Sequence, residues 1–257
     1  MIKIEDVEVM GMRKAIKGMR NAMNSWDKSD SGFYQCGCPD VGTTYCGNYG
    51  DRCFRGNCGT CRMRMYDMGD ADMDLAKRLI KAGSSDRKFL RMIHVQADVT
   101  APLYWWKQID QYRIGVTTNS TSTMHTIHKR DLTIDDFSHE HLLKRDIDFL
   151  QNLINEINRN RHLYTKGFKG VPGDDVCGVR PTDKALWWQM IQLLPSSFNQ
   201  MRTIDLDYET LFSIYHQRKN HKLDEWKEFC KWIETLPYMK DFLGLNDSEA
   251  EEGKTGE

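Results

Sequence analysis

Apolar residues recur along this chain with two periods, and one long stretch follows neither. At 2–10, Ile2, Ile4, Val7 and Val9 form a short alternating pattern that predicts an edge strand. Residues 11–24 place Met, Ala and Ile on one side of a helix. Residues 27–70 are rich in Gly, Asp, Asn and Cys and carry no sustained period, so they read as an irregular insertion. The period resumes at Asp72. Leu75, Leu79 and Ile80 share a helical face there, with Gly83 as the C-cap. Residues 93–99 alternate and predict a strand with one buried face. Ala101 and Pro102 end it, and Pro102 opens a helix that turns Leu103, Trp106 and Ile109 inward.

The run 115–126 is rich in hydroxyls and too polar for a core, so it reads as a loop of the kind that holds ligands. A long helix is predicted over 138–164. Leu143, Ile147, Leu150, Ile154 and Ile157 make a narrow seam on it, suited to another helix from this chain or from a second subunit. A Gly/Pro loop follows at 166–181. Then come a helix at 183–194 stopped by Pro195, a strand at 198–206, a helix at 208–217 and a last helix at 223–236 that buries Trp226, Phe229, Cys230 and Ile233. One domain is expected over 1–245, with a Cys-rich insertion at 31–68 and a disordered acidic tail at 246–257.

With 257 residues, 40% of them hydrophobic, the chain has material for a sizeable core. A formal charge of −1 argues against a broad cationic face for duplex nucleic acid, so nucleic acid is not an expected partner. No stretch approaches 18 apolar residues, so no membrane span is expected. The opening MIKIEDVEVMG lacks a basic-then-apolar pattern, so the expected location is the cytoplasm, where thiols stay reduced.

Six of the eight cysteines fall in one short segment: Cys36, Cys38, Cys46, Cys53, Cys58 and Cys61. Cys58 and Cys61 form a C-x2-C knuckle that supplies two thiolates from one turn. Cys36 with Cys38, or Cys46 with Cys53, would complete a tetrahedral structural zinc site. An iron–sulfur cluster also suits that knuckle, and unligated thiols are the plain alternative. Gln108, Gln111 and Tyr112 share a helix side with Arg113 close by, followed by the hydroxyls of 117–123. That set is either a phosphate clamp or a solvated helix face. Arg218 to His221 ends a helix, as a cation cluster at the negative end of the dipole or as a ligand clamp. His139 and His141 stand two apart, not the four that a zinc-protease helix requires. Trp105–Trp106 and Trp187–Trp188 read as core and interface. Neither common glycine-rich phosphate loop is present.

Three separated segments, taken in order, resemble the flavin-dependent thymidylate synthases. They are Val99-Thr-Ala-Pro102; then Gln108, Gln111-Tyr112-Arg113 and Asn119-Ser-Thr-Ser122; then Leu194-Pro195 followed by Arg218, His221 and Trp226. The segment 86–91 stands where the family has a His and Glu-His stretch. The resemblance covers roughly 72–240. It departs at Gln111 and Tyr112, which replace Arg and His of an Arg-His-Arg motif. It departs again at Thr121-x-Thr123, or at Ser122-x-Met124 if the loop shifts by one, which replaces Ser-x-Arg, and at Ile191, which replaces an Arg. The resemblance implies an α+β fold with an antiparallel sheet and packed helices, here carrying a Cys-rich irregular insertion. It implies a homotetramer with shared active sites, FAD as cofactor, and NADPH and methylenetetrahydrofolate as co-substrates. It implies transfer of a one-carbon unit to C5 of a pyrimidine deoxynucleotide, dUMP or a related one.

By the same resemblance, Arg218 polarises the pyrimidine carbonyl, and Arg113 and Gln111 border flavin and nucleotide. Gln108, Asn119, Ser120, Thr121 and Ser122 hold sugar and phosphate. Lys88, Arg91, Tyr112, Ser213 and His221 face the flavin. The competing reading is a nucleotide-binding or nucleic-acid-associated module that keeps the cleft and a structural zinc but has lost the flavin chemistry.

Overall fold

The fold is described from a computed structural model, over residues 2–35, 64–166 and 182–246. In chain order the elements are β1 (Lys3–Met10), α1 (Met12–Met19), β2 (Gly32–Gln35), β3 (Arg64–Asp67), α2 (Asp70–Ala82), β4 (His94–Pro102), α3 (Leu103–Ile109), β5 (Val116–Ser120), α4 (Thr123–Thr126), α5 (Lys144–Lys166), α6 (Asp183–Gln192), β6 (Asn199–Asp207), α7 (Tyr208–Arg218), α8 (Asp224–Thr235) and α9 (Met239–Leu243). Four strands form one sheet in the order β1-β4-β6-β5, and β2 pairs with β3 in a second. The Leu103 N–H donates to the Phe198 carbonyl (3.0 Å) and the Tyr208 N–H to the Ile93 carbonyl (2.9 Å), so β6 runs antiparallel to β4. Thr121 to Met201 (3.0 Å) and Asp207 to Gly115 (3.1 Å) set β5 antiparallel to β6 in the same way. The chain is therefore α+β with an antiparallel sheet, and β1 lies at a sheet edge as its weak alternation predicts.

Contacts divide the chain into two compact units. The first comprises Met1–Asp6, Ala97–Arg113 and Thr117–Ile204. Its core is Ile127, Leu132, Phe137, Leu150, Ile154, Ile157 and Met190. Each such side chain removed from water contributes about 1.5–3 kcal/mol. The buried stripe of α5, Leu150–Ile154–Ile157, packs on α6 of the same chain. The seam is thus covered intramolecularly, and it does not itself call for a second subunit. The helix also starts at Lys144 rather than at 138. Phe137 bridges to Phe198 and the Ser138 N–H donates to the Ser197 carbonyl (2.8 Å), which holds the chain extended to that point. Leu143 is consequently 68% exposed and lies outside the stripe.

The run 115–126 corrects another expectation. It holds the edge strand β5 and the short helix α4 rather than a loop. A strand paired on one side and solvated on its faces needs no apolar alternation, and β-branched Thr suits it. Pro102 closes β4 and is the N-cap residue of α3, whose buried positions are Trp105, Trp106 and Ile109, with Leu103 half-buried.

The second unit comprises Val7–Gln96, Ile114–Val116 and Asp205–Glu257. Helix α8 buries Trp226, Phe229, Cys230 and Ile233, as its pattern predicts. On α2 the buried positions are Asp72 and Ala76, while Leu75, Leu79 and Ile80 are half-buried. Helix α2 packs on α1, and the buried Asp72 carboxylate meets Arg20, just beyond the end of α1. Strands β2 and β3 pair antiparallel from Gly32↔Asp67 to Gln35↔Arg64, a hairpin base in a region expected to be irregular. Phe33 and Tyr66 face each other across it, with ring centroids 5.4 Å apart. The cysteines from Cys36 to Cys61, the Gly/Pro loop at 167–181 and the tail beyond 246 lie outside the described residues.

Candidate functional site

In the first unit, three buried residues of α3 anchor a polar end. Gln108 and Tyr112 are half-buried, whereas Gln111 and Arg113 are exposed. The chain leaves the helix in tight turns, with the Gln111 N–H donating to the Gln108 carbonyl (3.3 Å) and Tyr112 to Ile109 (2.9 Å). Asn119, Ser120 and Thr121 are exposed along and just beyond β5, and Ser122 is half-buried. The Thr121 N–H and hydroxyl both donate to the Met201 carbonyl at 3.0 Å.

One cation that the sequence reading passed over ties these two segments together. Arg202 on β6 donates to the Asp110 carboxylate (2.8 Å) and to the Gln200 side-chain oxygen (3.1 Å), with its side chain 14% exposed. Its guanidinium lies 4.3 Å from the centroid of the Trp106 ring. The Gln200 amide in turn donates to the Thr121 carbonyl (2.9 Å). The predicted substrate residues at 108–113 and 119–122 are therefore brought into one neighbourhood.

In the second unit, the 3₁₀ segment Arg87–Met92 packs on α7. Arg87 makes this contact. Its Nε reaches both oxygens of Glu209 (3.1 and 2.9 Å), and its guanidinium lies 4.6 Å from the Phe212 ring. Lys88 and Arg91 of that segment are exposed, and Ser213 of α7 is half-buried. Asp207 caps α7 by accepting the Thr210 N–H (2.7 Å). The other end of α7 carries Arg218, half-buried, 4.9 Å from the centroid of the buried Trp226 ring. Gly115 adopts φ +70, which lets its backbone accept the Asp207 N–H.

His221 follows Arg218, and its Nδ1 accepts the Leu223 N–H (3.1 Å). A ring nitrogen that accepts is unprotonated, so the proton of the neutral ring sits on Nε2. Burial pushes the His221 pKa down, and the charges of Arg218 and Lys222 push it further. His216 is lowered likewise, by burial and then by Lys219 and Arg87. Burial and neighbouring cations thus both disfavour a proton on His216 and His221.

Also within the second unit, a cavity of about 370 Å³ is lined by Val7, Val9, Met12, Tyr66, Trp232 and Tyr238 among others. None of the site residues expected from the sequence lines it. Among the described residues, no group of three or more His, Cys, Asp or Glu is disposed to hold a metal ion, and His139 and His141 form no such group. No helix among them is long and apolar enough to cross a membrane. Besides Arg202, the reading of the sequence missed the Arg87–Glu209 pair. Its one visible signal is a cation immediately before Lys88.

The fold is similar to that of a flavin-dependent thymidylate synthase. The chain is similar to two crystal structures of the Helicobacter pylori ThyX, each determined with FAD and dUMP. One is 13% identical, covers 93% of this chain and 97% of its own, and has a TM-score of 0.54. The other is 12% identical, covers 95% and 97%, and has a TM-score of 0.55. No family model and no curated protein matches the sequence.

Proposed function

We propose that this chain is a divergent flavin-dependent enzyme that transfers a one-carbon unit to C5 of a pyrimidine deoxynucleotide, dUMP or a related one. The observation that carries the reading is the likeness of fold over nearly the whole of both chains to a protein crystallised with FAD and dUMP. FAD, when bound, supplies the redox chemistry of the transfer, with NADPH as reductant and methylenetetrahydrofolate as carbon donor. The residues present fit such a group. Exposed Lys88 and Arg91 beside α7 suit a diphosphate, and neutral His221 offers an Nε2–H donor.

Arg218 polarises a pyrimidine carbonyl by directing a fixed guanidinium at developing negative charge on the ring oxygen. Its contact with Trp226 holds it in place for that role. Arg113 and Gln111 border the ring. Gln108, Asn119, Ser120, Thr121 and Ser122 hold sugar and phosphate oxygens, and Tyr112 and Ser213 line the flavin. Gln111 and Tyr112 leave this segment short of two cations, so phosphate neutralisation here falls to Arg113.

Four of the six cysteines from Cys36 to Cys61 hold a structural zinc in this proposal, Cys58 and Cys61 with either Cys36 and Cys38 or Cys46 and Cys53. The pairing of Gln35 with Arg64 supports it, because it ties the two ends of the Cys-bearing segment together and lowers the cost of closing a metal clip. The homotetramer is proposed with it, in the cytoplasm. Leu142 and Leu143, just before α5, and Phe149 in its first turns support self-association, being 39%, 68% and 71% exposed.

A yellow protein with flavin absorbance bands, which releases tritium from C5-labelled dUMP in the presence of the folate and NADPH, is the expected result. A chain that binds dUMP but takes up no FAD on titration would instead establish the nucleotide-binding module. Metal content and mass in solution, measured on the same sample, test the zinc and the tetramer.

A further inference from the structure

We infer that Arg202 is a positioning residue for the nucleotide. It sets the spacing between the segment Gln111–Arg113 and the segment Asn119–Ser122, which the proposed function assigns to ring, sugar and phosphate. The inference rests on that proposal. A guanidinium has a planar fork of donors, and here two of its nitrogens and its face are used. One nitrogen holds Asp110, the residue before Gln111, at 2.8 Å. Another holds the Gln200 side-chain oxygen at 3.1 Å. The face lies over Trp106, whose indole N–H donates to the Gln200 carbonyl at 2.9 Å. The Gln200 amide then fixes the Thr121 carbonyl at 2.9 Å and reaches the Thr123 hydroxyl at 3.5 Å. One side chain thus sets the end of α3 and the end of β5 from the strand between them.

The chemistry explains why arginine serves here. A lysine ammonium could neutralise Asp110 but could not span two acceptors in one plane while lying flat on an indole. The Arg202 side chain is only 14% exposed while Asp110 is 48% exposed, so the guanidinium is held in place by the Trp106 ring and the Gln200 oxygen and presents one edge to an acid that water also reaches. A ligand that must touch both segments meets them already spaced. Without Arg202 it would have to order them on binding.

The test uses Arg202→Met and Arg202→Lys, each in the full chain, with dUMP as the probe. Amide hydrogen exchange of the unliganded proteins is read alongside dUMP affinity by calorimetry. In Arg202→Met, exchange should rise together over 110–113 and 117–123 while α5 is unchanged. The affinity for dUMP should fall roughly 10- to 100-fold, the scale of an ångström-sized misplacement. Arg202→Lys should fall nearly as far, although it keeps the charge. A double-mutant cycle with Asn119→Ala should be non-additive in dUMP affinity. If the parent chain binds dUMP and both variants bind it equally well, or if only one segment loosens, this inference is overturned and the proposed function stands. If the parent binds no dUMP, the proposed function falls and the inference with it.

Discussion

Arg20 and Asp72 meet in the core of the second unit, Nε to Oδ1 at 2.6 Å, with side chains 6% and 0% exposed. Ser29 and Ser31 donate their hydroxyls to the other carboxylate oxygen (2.6 and 2.5 Å). Burial alone would raise the Asp72 pKa, but the bonds from Ser29, Ser31 and Arg20 outweigh it and hold the carboxyl below its ordinary value. The folded pKa is below the unfolded one, so the stabilisation is present above about pH 4 and is lost as pH falls through the folded value. Asp72→Asn leaves a buried guanidinium uncompensated, and its Nη2 already lacks a partner among the described residues. The expected cost is about 3–5 kcal/mol in urea unfolding at pH 7. The gap to the parent should narrow between pH 5 and pH 3. A gap that stays constant with pH would refute this account.

Gly115 lies where the chain turns from the Gln111–Arg113 segment into β5, at φ +70. A Cβ there would run into the Asp207 carboxylate and would stand 2.6 Å from the Thr210 hydroxyl oxygen. Gly115→Ala is therefore expected to cost about 1–2 kcal/mol for the backbone conformation, with about 1 kcal/mol more as the Asp207 cap of α7 is displaced. Thermal unfolding checks the sum. Asp207→Ala, which removes the obstructing carboxylate, should make the glycine substitution less harmful.

How much of this could be read from the chain depended on what each period reports. The alternation at 93–99 and the stripe at Trp226, Phe229 and Ile233 come from burial on one face, and those elements stand where expected. Strand β5 was missed because its residues are mostly exposed and its pairing is made by the backbone. The hairpin at Phe33 and Tyr66 was missed because each arm is four residues long, too short for a period. On α2 the Leu stripe predicts the helix and its Gly83 cap correctly, while the fully buried positions, Asp72 and Ala76, give no apolar signal of their own. At the site, the residue types at 108–113 and 119–122 were visible. Arg202 was not, since a lone cation in a strand gives no sign of the partner 92 residues away that fixes it.

The α5 helix separates folding from assembly. Ile154 is fully buried against α6, so Ile154→Ala should destabilise by about 2–5 kcal/mol through lost packing and the cavity left behind. Phe149 is 71% exposed, and Phe149→Asp should change unfolding of the isolated chain by less than about 0.5 kcal/mol. If the proposed tetramer uses this surface, that same substitution should lower the mass seen by sedimentation at equal concentration. An unchanged mass would move the interface elsewhere.

Arg218 is expected to matter for ligand more than for stability. Its contact with Trp226 is worth about 0.5–1 kcal/mol. A charge-assisted hydrogen bond to a pyrimidine carbonyl is worth about 1.5–3 kcal/mol. Arg218→Ala should therefore weaken dUMP binding roughly 10- to 150-fold, which is that range converted at 1.4 kcal/mol per decade. The loss in unfolding free energy should be the smaller of the two. A variant that binds dUMP as the parent does would remove Arg218 from the site.

His221 makes a pH-dependent contribution whose sign is fixed by its surroundings. Its pKa is depressed by burial and then by Arg218 and Lys222, and its Nδ1 is already engaged by the Leu223 N–H. Protonation must both break that bond and add a third positive charge beside two others. The folded chain thus binds this proton less readily than the unfolded chain, and the stability His221 confers is fully present above about pH 6.5. It is lost as pH falls below that value. His221→Gln, which cannot be protonated, should be less stable than the parent at pH 8 and should close that gap by pH 5. Arg218→Gln should relieve part of the depression, and the ring protons of His221 should then titrate at higher pH by NMR. A parent-to-variant gap that widens towards acid would mean that the imidazole is charged in the folded chain and that its partner is an anion.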